Sequence, residues 1–296
     1  MRDGFVVAAP CKINIHLRVL DRRSDGFHDL ESVFQTISFG DELRVESLKE
    51  RFACDILMDG PVPPERNIVF KAVAAFRRAV PFEGGVRIRI EKRVPFGAGL
   101  GGGSSDAASA LIALNRISGA DLDDAALQAI AAELGSDVPF FIRGGTAYVE
   151  GRGERVLPIP GRADYHLVLV NPGFASDTGR AFALLDAARA SASIPGSAGL
   201  SPDFVRSSIL ENADRWPFFN DFLPVLLRES PAYRRMIDDF TAAGALFSSL
   251  SGSGATCFGV FSSRKDAETA QSRLSASWPF VKTAVPLARA GKAVLE

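Results

Sequence analysis

Between positions 95 and 105 the chain reads Pro95-Phe96-Gly97-Ala98-Gly99-Leu100-Gly101-Gly102-Gly103-Ser104-Ser105. Glycine lets backbone N–H groups turn inward with no Cβ in the way. A helix that follows adds unpaired amides and the positive end of its dipole. That combination suits a ligand rich in phosphate. The same glycine and serine content also suits a flexible linker, so the surroundings must decide.

Three phosphate loops make different demands on those surroundings. A P-loop requires a lysine directly after its last glycine, and none follows here. The dinucleotide spelling G-x-G-x-x-G is met literally by Gly97, Gly99 and Gly102. It calls for a doubly buried parallel strand before the loop and an acidic residue about 20 positions on, at the end of a second strand. Instead Val86-Arg87-Ile88-Arg89-Ile90 alternates, and Asp121 and Asp123 lie between two helical patterns. A protein-kinase loop would be accompanied by H-R-D and D-F-G, and neither occurs.

The elements that must carry the loop can be read from periodicity. Strand-like runs cover Val6 to Ala9, Ile13 to Val19, Glu31 to Ser38, Asp41 to Ser47 and Val86 to Ile90, each with one apolar face, which suggests antiparallel pairing. Asn67 to Val80 carries a helical stripe. After the glycines, Ser104 or Ser105 can cap a helix that runs to Ser118, with Gly119 ending it. A second helix is expected from Asp123 to Leu134, then strands at Thr146 to Glu150 and His166 to Val170. Ala187 to Ser201, rich in Ala, Ser, Pro and Gly, reads as a mobile connection or an exposed helix end. The last third predicts a helix at Tyr233 to Ala243, strands at Ala245 to Leu250 and Thr256 to Phe261 around Ser251-Gly252-Ser253-Gly254, a helix at Ala267 to Ser275 and a strand at Phe280 to Ala288. This is a βαβ-containing α+β layer, able to cover one edge of the first half.

Composition narrows the partner. The 296 residues are 47% hydrophobic and 23% charged, with a formal net charge of -1. There is no basic excess to neutralise nucleic acid or anionic lipid, so a small-molecule partner is expected. Cys11, Cys54, Cys257 and the histidines His16, His28 and His166 are scattered, which argues against a structural metal site or a disulfide framework. Lys12 interrupts the first apolar stretch, and no apolar run approaches a membrane span, so a cytoplasmic protein is the default expectation.

A strand, a long glycine loop, two serines and a helix carrying Asp106 together resemble the GHMP kinases. Their second motif, P-x-x-x-G-L-G-S/G-S-S/A-A, is followed closely by Pro95 to Ala108. Ala9-Pro10-Cys11-Lys12-Ile13-Asn14-Ile15-His16 is similar to the first motif of that family, and Ser251 to Cys257 to the third. Asp25-Gly26-Phe27-His28-Asp29-Leu30, Leu134 to Phe141 and the triplet Gly101-Gly102-Gly103 resemble the branch that acts on a cytidine-diphosphate-linked methylerythritol in the non-mevalonate isoprenoid route. Phe27 stands where that branch often has tyrosine, and Ser136 where alanine is common.

The resemblance implies an α+β, two-domain GHMP-kinase fold. A ribosomal-protein-S5-domain-2-like α/β layer would span 1–160 and a ferredoxin-like α+β domain 161–296. It implies ATP and Mg²⁺ as cofactors, with the loop from Pro95 through Ser105 on the ATP phosphates; the metal ligands are left open, with Ser105 and a nearby carboxylate as candidates. Asp137 would be the base, and Lys12 its cationic partner. Spacing alone also allows Asp137 to cap its turn and Lys12 to reach water at a strand edge. Asn14, Phe27, His28, Phe182, Gly252, Ser253 and Gly254 would hold the substrate. Another alcohol acceptor, or a non-catalytic dinucleotide module, are the alternatives. Oligomeric state is left open.

Overall fold

The computed structural model describes residues 4–60, 62–192 and 200–290. The four early strands expected from the sequence are two long ones, β1 (Gly4–Arg22) and β2 (His28–Leu48), paired antiparallel from Gly4 opposite Glu46 to Arg22 opposite His28. Pro10 does not break β1. It sits at a register shift between Pro10 and Lys12, where a residue without an N–H is tolerated. Gly40 lies opposite, and a Cβ there would come within 2.2 Å of the Ala9 carbonyl oxygen. Beyond this bulge, residues Cys11 to His16 are all buried. Cys11, Ile13 and Ile15 enter the core shared with the second sheet, which leaves Lys12 and Asn14 on the other face.

The first sheet has the order β3-β4-β2-β5-β6, with β1 added to β2; its other members are β3 (Cys54–Met58), β4 (Gly85–Glu91), β5 (Thr146–Gly151) and β6 (Arg155–Pro158). Its pairings are antiparallel as expected, except that β3 runs parallel to β4. Helices α1 (Ile68–Ala79), α2 (Gly102–Ser118), α3 (Asp124–Ala132) and α4 (Val138–Arg143) cover one face. Asn67 caps α1 by accepting from the Val69 N–H, and Asp123 caps α3 through the Ala126 N–H.

Helix α2 starts earlier than Ser104 or Ser105. Its N-cap is Gly101, at φ 69°, and no side chain caps it. A Cβ there would meet the Phe141 ring at 2.9 Å and Lys12 Cε at 3.3 Å, so only glycine admits both neighbours. The helix therefore opens with backbone amides rather than a serine cap.

The second sheet has the order β10-β7-β9-β8, from β7 (His166–Asn171), β8 (Phe247–Leu250), β9 (Cys257–Phe261) and β10 (Phe280–Ala284). Both β9 and β10 pair antiparallel with β7, so with α9 (Arg264–Ser275) between them they form a split βαβ unit. Helices α5 (Thr178–Ala190), α6 (Pro202–Ser208), α7 (Leu223–Glu229) and α8 (Pro231–Ala242) complete this half. Of the Ala187 to Ser201 stretch, Ala187 to Ala190 end α5 and Ser201 caps α6; residues 193–199 lie outside the described residues. The dinucleotide reading of the loop does not survive this topology. The strand before the glycines lies in a mixed sheet, and Asp121 and Asp123 sit between α2 and α3.

Candidate active site

The bulge in β1 and the start of α4 bring two predicted residues together from opposite ends of the first half. Lys12 Nζ stands 3.6 Å from Asp137 Oδ2, and their side chains are 5% and 31% exposed. Asp137 occupies the N-cap of α4 yet makes no capping hydrogen bond, so its carboxylate is directed to the lysine instead of the turn. Lys12 does not snorkel. Its ammonium donates to Asn14 Oδ1 at 2.6 Å and lies 4.5 Å from the centre of the Phe34 ring. Burial lowers the Lys12 pKa, and the Asp137 carboxylate opposes that shift by favouring the charged form.

The glycine loop lies beside this pair. Leu100 C=O accepts from the Lys12 N–H at 2.9 Å, and Ser105 Oγ donates to Pro10 C=O at 2.7 Å, so β1 holds the loop at its middle and at its helical end. Ser105 is fully buried and thus lies at the base of the loop, not at its mouth. A cavity of about 440 Å³ opens on the other side, lined by Pro95 to Ser104 together with Met58, Val62, Asn67, Ile68, Lys92 and Asp106. Asp106 is buried next to Lys92. Burial pushes its pKa up to about 7 against the pull of the lysine.

The third glycine loop closes over the first. Ser251 Oγ donates to Gly99 C=O at 2.9 Å, and the Asn14 N–H donates to Ser251 Oγ at 3.3 Å. Gly99 has φ 76°, and a Cβ on it would sit 2.2 Å from Ser251 O and 2.5 Å from Gly254 O. Only glycine permits that approach. Asn220, which the sequence reading missed, donates to Leu250 C=O and Gly252 C=O at 2.8 and 2.9 Å and fixes the loop from behind. An asparagine far from any motif carries no local signal for such a role.

A second cavity, about 230 Å³, lies between the halves. Lys12, Asn14, Phe34, Asp137, Thr178, Phe182, Gly252 and Ser253 line it, and Gly99 and Gly101 belong to the walls of both cavities. Thr178 Oγ1 and Ser253 Oγ are hydrogen bonded at 2.8 Å, and Ser176 Oγ donates to Ser253 C=O at 2.6 Å. The three aromatic positions expected to meet a base are arranged unequally. His28 and Phe182 stack on each other, 5.0 Å between centres and 17° between planes, and His28 Nε2 lies 2.9 Å from Asp186 Oδ1. Such a stack leaves no room for a base between the two rings. Phe27 stands apart from this cavity, 53% exposed, with the Arg152 guanidinium 4.0 Å above its ring.

Two cavities that share Gly99 and Gly101, with the lysine and the carboxylate in the wall of the smaller one, can hold a phosphate donor and an alcohol acceptor close to one reacting point. Among the described residues, no group of three His, Cys, Asp or Glu could hold a metal ion, and no helix is long and apolar enough to cross a membrane.

Comparison with known proteins agrees with this architecture. Residues 67–145 match the GHMP kinases N terminal domain, and residues 204–279 match the GHMP kinases C terminal region. The 4-diphosphocytidyl-2-C-methyl-D-erythritol kinase of Treponema pallidum is 35% identical over 285 residues, covering 93% of this chain and 96% of its own length. Its counterpart in Deinococcus radiodurans is 37% identical over 274 residues, with 92% and 89% covered. A crystal structure of 4-(cytidine 5'-diphospho)-2C-methyl-D-erythritol kinase superimposes with a TM-score of 0.80 at 31% identity, covering 95% of this chain and 98% of that one. Similarity of this extent carries through both halves, and the chain belongs to the GHMP kinases, in the branch of the 4-diphosphocytidyl-2-C-methyl-D-erythritol kinases.

Proposed function

We propose that the protein transfers the γ-phosphoryl group of ATP to the 2-hydroxyl of 4-diphosphocytidyl-2-C-methyl-D-erythritol, giving the 2-phosphate and ADP, as a step of the non-mevalonate isoprenoid pathway. The observation that carries this reading is the Lys12–Asp137 pair in the wall of the smaller of two cavities that share Gly99 and Gly101. ATP occupies the larger cavity, with its phosphates on the amides of Gly97 to Gly103 and on Ser104. The acceptor occupies the smaller one.

In this reading Asp137 Oδ accepts the proton of the attacking hydroxyl as the O–P bond forms. Lys12 Nζ pairs with that carboxylate and offsets charge on the attacking oxygen and the γ-phosphate. Asn14 Oδ1 orients the ammonium, and the stiff contact with Phe34 keeps it in place. Gly252 and Ser253, in the cavity wall, face the acceptor diphosphate with the buried Gly254 next to them, and Phe182, backed by His28, supplies an apolar wall for its base. Mg²⁺ bound with ATP screens phosphate charge. The nearest side chains able to meet it are Asp106, one of whose oxygens has no protein partner, and Ser104, so most of its ligands would be phosphate oxygens and water.

We assign the domain boundary to 160/161, because the first sheet ends at Pro158 and the second begins at His166. The working compartment in this reading is the cytoplasm.

An ADP-release assay with the cytidylyl substrate, its free sugar phosphate, mevalonate and homoserine offered separately tests the assignment. Turnover confined to the first is expected, with competition by cytidine nucleotides. Turnover only with another alcohol would move the protein to a different acceptor within the same family.

A further inference from the structure

We infer that Lys92, Asp41 and Asp106 form a buried strut that fixes the separation of the two ends of the glycine loop, and that they are positioning residues for the ATP triphosphate. This rests on the assignment of the larger cavity to ATP.

The chain enters the loop from the end of β4 and leaves it into α2. Asp41, on β2, holds the entry. Its Oδ1 accepts from the Arg93 N–H at 2.6 Å and from the Val94 N–H at 2.8 Å. Its Oδ2 accepts from Lys92 Nζ at 2.5 Å. Lys92 then reaches across to the exit, donating to Asp106 Oδ2 at 2.8 Å in the first turns of α2. A single ammonium thus ties the strand before the glycines to the helix after them. The carboxylates are almost completely buried and the lysine side chain is 11% exposed, so the contacts are little screened by water.

The loop between these anchors is flexible by composition. Gly97, Gly99 and Gly101 all have positive φ, and nothing in their side chains limits the backbone. Amides can hold a triphosphate tightly only if their directions are set before it arrives. The β1 contacts of Leu100 and Ser105 set the back of the loop, and the strut sets its span. Lys92 and Asp106 also line the donor cavity, Lys92 Nζ lies 5.6 Å from the centre of the Phe96 ring, and Asp106 Oδ1 is buried without a protein partner.

Asp106→Ala cuts one leg of the strut and leaves Lys92 paired with Asp41, so no buried charge is stranded and the fold is retained. Equilibrium binding of a non-hydrolysable ATP analogue should weaken by about tenfold, while the acceptor KM stays within about twofold. Asp106→Asn, whose amide oxygen still accepts from Lys92, should restore analogue binding to within about threefold of the parent. Hydrogen exchange of the ligand-free variant should rise over residues 92–106 and nowhere else. Unchanged analogue binding in Asp106→Ala would overturn the inference, as would equal losses of analogue and acceptor affinity together with a fall in Tm. Failure of the parent protein to bind the analogue would overturn the ATP assignment and the strut with it.

Discussion

The cavity proposed for the donor, about 440 Å³, is walled largely by one continuous run of backbone from Pro95 to Ser104, whereas the one proposed for the acceptor, about 230 Å³, shares Gly99 and Gly101 with it and takes the rest of its lining mainly from β1, β2, the start of α4, α5 and the loop after β8. The difference follows from what each must recognise. A triphosphate is met by amides, which any short segment can supply once glycine removes the side chains. A base-linked alcohol must be met by shape, by an aromatic wall and by a base at one oxygen. Those groups come together only through tertiary packing. In that proposal the donor side is local and fixed by close backbone approach, and the acceptor side is distributed over distant segments.

Four changes sharpen or break that contrast. Lys12→Met acts at the junction and should have the largest effect, a loss of about 10³-fold in kcat, measured by ADP release, with ATP-analogue binding little changed. Gly99→Ala acts on the donor side through backbone alone. With a Cβ 2.2 Å from Ser251 O the two glycine loops must part, and analogue affinity should fall by about 30-fold or more, read by calorimetry. Phe182→Ala acts on the acceptor side. It removes the wall stacked on His28 and should raise the acceptor KM by about tenfold with the ATP KM unmoved.

The smallest effect concerns stability. His16, on β1 beside the acceptor wall, is fully buried, and desolvation lowers its pKa to about 4. The folded protein keeps it neutral while the unfolded chain takes up a proton below about pH 6.5. Its contribution is complete above that pH and is lost as pH falls towards 4, at up to about 1 kcal/mol per pH unit. Thermal unfolding between pH 7 and 5 should be less pH-dependent in His16→Gln than in the parent.

The same contrast explains what could be read from sequence. Pro95 to Ser105 announced a phosphate loop because its recognition chemistry is contiguous, and motif order then linked Lys12, Asp137 and Gly252. The strands were legible by alternation, but the gap left between Ala9 and Ile13 is bridged in the fold by a bulge at Pro10, and that bulge belongs to how Lys12 is presented. Ser104 and Ser105 looked like caps because serine commonly is one. The helix instead opens at Gly101, where the close Phe141 ring and Lys12 stem leave no space for a Cβ. Asn220, Phe34 and the Lys92–Asp41 contact had no local signature at all, since each works through a partner distant in sequence. Phe27, singled out for a base, pairs with Arg152 outside the acceptor cavity, a contact that neither segment foretells.

The central claim is that donor and acceptor meet at Asp137, which acts on the acceptor hydroxyl and not on the nucleotide. Asp137→Asn tests it most directly when single-turnover rate and ATP-analogue affinity are measured on the same preparation. A rate lowered by about 10³-fold, with analogue affinity within about threefold of the parent, is the expected result. A comparable loss of analogue affinity would contradict the account, because Asp137 would then belong to the donor cavity.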